Sequence, residues 1–101
     1  MSKPMLTNFF EGIKPRPYPD IDIGDTQCGS YGNEKQGYVI HHWVVISLKP
    51  FKIIVFNPRS MYGIISPSTR KEFLSYGRDC GTTDQKVIDK IKIEKDYSIS
   101  R

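Results

Sequence analysis

The apolar residues between Tyr38 and Ser66 form the strongest pattern in the chain. In YVIHHWVVISL, both sets of alternate residues are largely apolar, which is typical of a central strand that is covered on both faces. Two shorter apolar runs follow, FKIIVFN and MYGII, and they are separated by the turn sequence NPRS. The pattern therefore predicts a three-stranded antiparallel meander over residues 38–66.

The segments on either side of the meander give weaker signals. Residues 20–37 contain four glycines and few large apolar groups, which predicts a long loop with one short strand around residues 21–23. After the meander, SPSTRKEFLSYG predicts a short helix, because Thr69 and Glu72 fit a capping box and Gly77 fits the position after the helix end. A fourth strand through KEFLSY is the alternative.

The C-terminal residues predict one more helix and one more strand. In TTDQKVIDKI, Thr82 and Gln85 fit a second capping box, and the apolar residues form one stripe. The following KIKIEKDYSI alternates with period two, so the helix is expected to lead into a last strand.

Together these elements predict an α+β fold. The expected architecture is a small antiparallel sheet, the meander over 38–66 plus one or two further strands, with one or two helices. The chain has 101 residues, which favours a single domain, here residues 20–101. Residues 1–19 contain KPRPYP, with Pro15, Pro17 and Pro19 in alternate positions, and this predicts an extended, proline-rich N-terminal arm.

Composition and charge narrow the function classes. The net charge is +4, which favours an acidic partner, either a protein or a nucleic acid. The N-terminus lacks the apolar core of a signal peptide, and no apolar run is long enough to span a membrane. We therefore expect a soluble, cytoplasmic protein with no cofactor and with reduced thiols at Cys28 and Cys80. A disulfide between these two cysteines would require an oxidising compartment.

A group of basic residues with interleaved aromatic side chains is the candidate binding surface. Arginine and lysine can contact phosphate or acidic side chains, while aromatic rings stack on bases or anchor protein partners. The group consists of Arg59, Tyr62, Arg70, Lys71, Tyr76 and Arg78. It predicts a small, basic, non-enzymatic binding or regulatory protein that engages a protein or a nucleic acid. The small size and the composition rich in lysine and isoleucine are typical of proteins that phages and other mobile elements encode.

Catalytic chemistry is the first alternative, and it depends on His42, Asn57 and Cys80. A cysteine nucleophile needs a histidine base and a third group that orients the histidine. The series HHWVVI, VFNP and DCG resembles the pattern of adenovirus-type and ubiquitin-like-modifier-type cysteine proteases. That resemblance implies a cysteine hydrolase with His42 as base, Asn57 as orienting residue and Cys80 as nucleophile. The glutamine that this family places before its cysteine is absent from EFLSYGRD.

Two further resemblances are shorter. QCG at residues 27–29, followed by HHWVVI and FNP, resembles bacteriocin-processing peptidases, which would make Cys28 the nucleophile. The run KIIVFNPRSMYGIISPSTRKEFLS resembles the hairpin region of colicin-D-type transfer-RNA-cleaving toxins, in which a strand, an Asn-Pro turn and a second strand precede a serine-containing segment. This implies a metal-free ribonuclease in which His41 or His42 moves protons and Arg59, with the basic pair at residues 70–71, neutralises phosphate.

No metal site is predicted. His41 and His42 are adjacent, so on a strand they face opposite sides and cannot bind one ion together. Asp20, Asp22 and Asp25 lie close in sequence, but their spacing departs from that of a calcium loop, which indicates an acidic turn.

Overall fold

A computed structural model describes residues 20–99, so the expected N-terminal arm at residues 1–19 lies outside the described residues. Strands account for 54% of this part of the chain and helices for 12%. The strands are β1 (Asp25–Asn33), β2 (Gly37–Leu48), β3 (Phe51–Phe56), β4 (Tyr62–Pro67), β5 (Arg78–Thr82) and β6 (Lys92–Asp96). The helices are α1 (Arg70–Ser75) and α2 (Gln85–Ile88).

All six strands belong to one sheet in the order β5-β1-β2-β3-β4-β6. Neighbouring strands are antiparallel except for β4 and β6, which are parallel, so the sheet is mixed. The parallel pair arises because the chain leaves β4, passes through α1, β5 and α2, and returns to the edge beside β4. The predicted meander forms the centre of this sheet as β2, β3 and β4.

The predicted α+β class is wrong, because the molecule is mostly β. The largest difference lies at β1, where the glycine-rich segment that we expected to be a loop pairs with β2 from Thr26 to Asn33. The second difference is the expected C-terminal helix, which is only four residues long as α2. Both differences have one cause. Pairing with a neighbouring strand satisfies the backbone N–H and C=O groups, and this outweighs the weak local sequence preference of these segments.

Two apolar clusters hold the sheet, one on each face. The first face, here called the Trp43 face, is covered by α1. Its cluster consists of Ile21, Trp43, Val45, Phe51, Ile53 and Phe73. Phe73 comes from α1 and is only 2% exposed, so the short helix is fixed mainly by inserting this ring into the core.

The opposite face, here called the Val44 face, is covered by the segment between α2 and β6. Its cluster consists of Val44, Ile54, Phe56 and Ile91. Gly63 allows the covering segment to approach, because a Cβ at this position would lie 2.8 Å from a methyl carbon of Ile91. Among the described residues, no helix is both long and apolar enough to cross a membrane.

Candidate functional site

The β1–β2 hairpin extends beyond the strands on either side of it. β5 pairs with β1 only as far as Cys28, and β3 pairs with β2 only from His42 onward. The cross-strand pairs from Gly29–His41 to Asn33–Gly37 therefore form a two-stranded ribbon without a strand partner on either edge. This segment, residues 29–41, is called the free hairpin below.

The free hairpin exposes large apolar side chains on both faces. Tyr31 is 55% exposed and Val39 is 43% exposed on the Trp43 face, while Tyr38 is 63% exposed and Ile40 is 51% exposed on the Val44 face. The only charged residues of the segment are Glu34 and Lys35 in the turn, and their charges cancel. Exposed apolar side chains on a projecting element are typical of a binding surface.

The aromatic packing of the Trp43 face ties the free hairpin to the core. The buried indole of Trp43 stacks on Tyr76, with ring centroids 5.2 Å apart, and it contacts the edge of Tyr31 at 5.5 Å. Tyr31 also contacts His41 at 5.4 Å. The base of the ribbon is thus held by ring contacts although it has no strand neighbours.

The two histidines face opposite sides of β2, as the sequence predicts for adjacent strand residues. His41 packs with Tyr31 on the Trp43 face, whereas His42 packs edge-on against Phe56 on the Val44 face, with ring centroids 5.4 Å apart. Partial burial lowers the pKa of His42, since the charged imidazolium is poorly solvated there.

A cavity of about 220 Å³ lies along the β2 edge of the free hairpin. It is lined by Tyr38, Val39, Ile40, Asn57, Pro58 and Arg59. Successive strand residues point to opposite faces, so a cavity that is lined by three consecutive residues of β2 lies at the edge of that strand. The other wall is the turn that follows β3.

The turn after β3 is fixed by Asn57. The side-chain Oδ1 of Asn57 accepts a hydrogen bond from the backbone N–H of Arg59 at 2.7 Å, which is an Asx turn. The backbone of Asn57 also bonds with Met61 and Tyr62 and closes the connection to β4. Arg59 therefore lies at the edge of the cavity in a turn that the side chain and backbone of Asn57 hold in place.

The β1 edge of the free hairpin is bounded differently. Cys28 and Cys80 form a disulfide between β1 and β5, with their Cα atoms 5.8 Å apart. The expectation of reduced thiols is therefore wrong for this structure, which leaves no free cysteine among the described residues. A second cavity, of about 360 Å³, is lined by both cysteines together with Gly29, Ser30, Ile40 and Arg78.

The predicted catalytic residues are not brought together, since Cys80 is on β5, His42 is on β2 with β1 between them, and Asn57 follows β3. His42 lies directly opposite Cys28, and not Cys80, in the register of β1 and β2. The sulfur of Cys80 is bonded to Cys28, and the side-chain oxygen of Asn57 accepts from its own turn. Within the described residues, no hydrogen bond joins His42 to Asn57. The catalytic assignment stays a prediction, and it requires that the disulfide be reduced.

The predicted basic and aromatic group is spread over both faces and both ends of the sheet. Arg70 lies over the ring of Phe51, at the start of β3, whereas Arg59 follows the end of the same strand. Tyr76 is stacked on Trp43, so one face of its ring is already covered.

The other members of this group lie on three different elements. Tyr62 is on β4 beside Lys92, and Arg78 begins β5. Lys71 follows Arg70 on α1 and shares its position on the Trp43 face. Of the basic members, Arg59 and Arg78 line the cavities beside the free hairpin, one on each side.

The acidic residues do not form an ion-binding cluster. Asp25 uses its carboxylate to accept the backbone N–H of Asp22, as an acidic turn would. Asp96 lies at the end of the far edge strand β6, where the Ser98 hydroxyl donates to it and lowers its pKa. Within residues 20–99, no group of three or more His, Cys, Asp or Glu side chains could hold a metal ion.

The sequence pattern predicts a loop where the structure has the free hairpin. A signal was present, since SYGN and GYVI flank the turn residues EKQ, and both flanks contain residues that favour strands. The four glycines outweighed this signal. Gly32 illustrates why, because a Cβ there would lie 2.0 Å from the carbonyl oxygen of Gly37 on the paired strand. The glycine permits close strand approach and does not mark a loop.

No family model, curated protein or solved structure matches this chain, so its function is argued from the site alone.

Proposed function

We propose that this chain is a non-enzymatic binding protein that engages a protein partner through its free hairpin. The observation that carries the proposal is the ribbon of residues 29–41, which has no strand partner on either edge and four exposed apolar side chains. Open edges offer backbone N–H and C=O groups, and exposed apolar side chains add contact area that is removed from water on binding.

A protein partner is favoured over a nucleic acid by the chemistry of the hairpin. The exposed side chains include the aliphatic Val39 and Ile40, which do not stack on bases. The basic residues that would contact a phosphate backbone are dispersed over the sheet, as described above. The disulfide at Cys80 similarly favours a non-enzymatic role over a cysteine hydrolase.

The test is selection of binders from a library of random peptides, followed by comparison of two matched variants. Ile40→Lys places a charge on the free hairpin, and Ile93→Lys places the same charge on β6, where the isoleucine is 47% exposed, close to the 51% of Ile40. We expect Ile40→Lys to weaken binding of the selected peptides by about tenfold or more, and Ile93→Lys to leave it unchanged. Circular dichroism of both variants checks that the fold is intact.

Two results would overturn the proposal. One is a set of selected peptides whose affinity does not depend on Ile40. The other is tight, salt-dependent binding of a single-stranded RNA oligonucleotide that is lost on Arg70→Ala and is unaffected by Ile40→Lys, because that pattern is expected of a nucleic-acid surface.

A further inference from the structure

We infer, on the basis of the proposed function, that the free edge of β2 binds an extended segment that carries a carboxylate next to an apolar side chain. The occupant is a protein segment in strand conformation. It would add to the sheet beside residues 37–41, in line with β3, and place its carboxylate at Arg59.

The position of the cavity supports strand addition. β3 pairs with β2 up to the His42–Phe56 pair and then turns away at Asn57 and Pro58. The cavity begins where β3 leaves, beside Tyr38, Val39 and Ile40. An extended segment placed there could form backbone hydrogen bonds with residues 37–41 of β2. It would use the same edge of β2 that pairs with β3 from His42 onward.

The sequence of this edge supports the same inference. Residues 37–41 of β2 contain no lysine, glutamate, aspartate, arginine or proline. By contrast, the edge strand β6 carries four charged side chains in five residues, at Lys92, Glu94, Lys95 and Asp96. Charges on an edge strand discourage pairing with other chains, so their absence beside the cavity marks this edge as the one that is open to a partner strand.

The cavity has room for a side chain and an apolar wall. Its volume of about 220 Å³ is several times the roughly 30 Å³ that one water molecule occupies in the liquid. Tyr38, Ile40 and Pro58 supply carbon surface, and Tyr38 and Ile40 are both more than half exposed. An apolar side chain that enters the cavity would remove this surface from water.

Charge at the cavity specifies the second group of the ligand. Among the described residues that line the cavity, Arg59 alone is charged. Its backbone N–H is used by the side chain of Asn57, but its guanidinium makes no ion pair within residues 20–99. Guanidinium binds carboxylate through two parallel hydrogen bonds, so a glutamate, an aspartate or a terminal carboxylate is the complementary group.

The β1 edge of the hairpin provides a matched control. It also has an arginine, Arg78, next to an exposed part of the ribbon. However, Gly77 crosses close to the backbone of Cys28 and Gly29 on this side, so the edge is partly covered. We therefore expect Arg59, and not Arg78, to bind the carboxylate of the added segment.

The experiment measures fluorescence anisotropy of a labelled synthetic peptide about eight residues long, within the usual length of a strand. The peptide alternates valine and threonine and contains one glutamate, and its partner peptide has glutamine in place of the glutamate. We expect the glutamine peptide to bind about threefold to tenfold more weakly than the glutamate peptide. We expect Arg59→Gln to abolish this difference and Arg78→Gln to preserve it.

Strand addition is tested with two further peptides that are N-methylated at alternate residues, one at the odd and one at the even positions. Only alternate N–H groups of an added strand point at its neighbour, so one of the two peptides should lose binding and the other should retain it. Equal retention by both would overturn the inference.

The outcomes separate this inference from the proposed function. Peptide binding that requires the hairpin but is equally strong with glutamate or glutamine, and with Arg59 or its glutamine variant, would overturn the inference. The proposed function would then still stand. Absence of any binding by the glutamate peptide, with library-selected peptides that still require Ile40, would have the same meaning. Loss of every Ile40-dependent interaction would overturn both.

Discussion

Gly77 shows how one residue fixes the start of β5. It has a φ of +58°, and a Cβ at this position would lie 1.9 Å from the carbonyl oxygen of Cys28. Both the left-handed backbone and the close approach require glycine. We predict that Gly77→Ala lowers the free energy of unfolding by at least about 3 kcal/mol, as measured by urea denaturation.

Gly81 is the control for this prediction. It lies on β5, four residues after Gly77, with a φ of +84°, but a Cβ there would meet nothing within 4 Å. Gly81→Ala should therefore cost only the backbone strain, about 1 kcal/mol. Equal losses for the two variants would show that the contact with Cys28 is unimportant.

His42 makes stability depend on pH. Burial lowers its folded-state pKa below the value of 6.5 that is expected when the chain is unfolded, so the unfolded chain binds a proton more readily. The contribution of neutral His42 is fully present above that unfolded value. It is lost as the pH falls through 6.5 toward the lower folded value. We predict that the free energy of unfolding declines between pH 7.5 and pH 5.5, values that bracket the ordinary histidine pKa of about 6.5.

The matched variant His42→Gln should flatten this decline, because glutamine does not titrate. The measurement is urea denaturation of both proteins at several pH values across the same window. A decline that is identical in the variant would assign the effect to other groups.

At the scale of single elements, α1 is the clearest case of local control. Thr69 accepts the backbone N–H of Glu72, and Glu72 accepts the backbone N–H of Thr69, so the predicted capping box is confirmed. We predict that Thr69→Ala lowers the free energy of unfolding by about 1 kcal/mol. The matched variant is Ser68→Ala, since the Ser68 hydroxyl makes only long, exposed hydrogen bonds of 3.3 Å.

Thermal unfolding, followed by circular dichroism, checks this prediction. Thr69→Ala should lower the melting temperature, and Ser68→Ala should leave it nearly unchanged. A larger effect at Ser68 would mean that the capping box is not what stabilises the first turn of α1.

The second capping box was predicted by the same rule and is wrong. The N-cap of α2 is Asp84, and its side chain makes no capping hydrogen bond. Thr82 instead ends β5, where it is paired with Asp25 on β1. The local pattern allows Thr82 to cap a helix or to end a strand, and its pairing with β1 selects the strand. The start of α2 could therefore not be predicted from the local pattern.

At the scale of the whole molecule, the disulfide joins two positions that are 52 residues apart in sequence. Closing a loop of this length restricts the unfolded chain, and the chain-entropy model assigns this restriction about 4 kcal/mol. We predict that the double variant Cys28→Ala with Cys80→Ala loses roughly 2–4 kcal/mol of unfolding free energy in urea without reductant.

Reductant provides the control for the disulfide. Dithiothreitol should destabilise the wild type and leave the double variant unaffected. Titration of the native, unreduced protein with a thiol reagent should detect no free thiol. Detection of two thiols would contradict the structure, and the hydrolase prediction at Cys80 would then be tested by alkylation against pH, with His42→Ala as the comparison.

The features with local causes could be predicted from the amino-acid pattern. The short apolar runs separated by turn residues located β2, β3 and β4, because strands buried in a sheet carry apolar residues at closely spaced positions. The period of two along a strand placed His41 and His42 on opposite faces, and the spacing of Thr69 and Glu72 located the start of α1. The turn at Asn57 could also be predicted, since asparagine before proline favours a turn.

The pairing of distant segments could not be predicted in this way and is seen only in the folded molecule. The partnership of β1 with β2 converted a glycine-rich loop into a strand, and the return of the chain to β4 made the last strand parallel. The same pairings joined Cys28 to Cys80. β5 pairs with β1 only as far as Cys28 and β3 pairs with β2 only as far as His42, so residues 29–41 have no further strand partner. Strand partners, and the edges that remain without one, depend on contacts between residues that are far apart in sequence, and such contacts leave no local pattern.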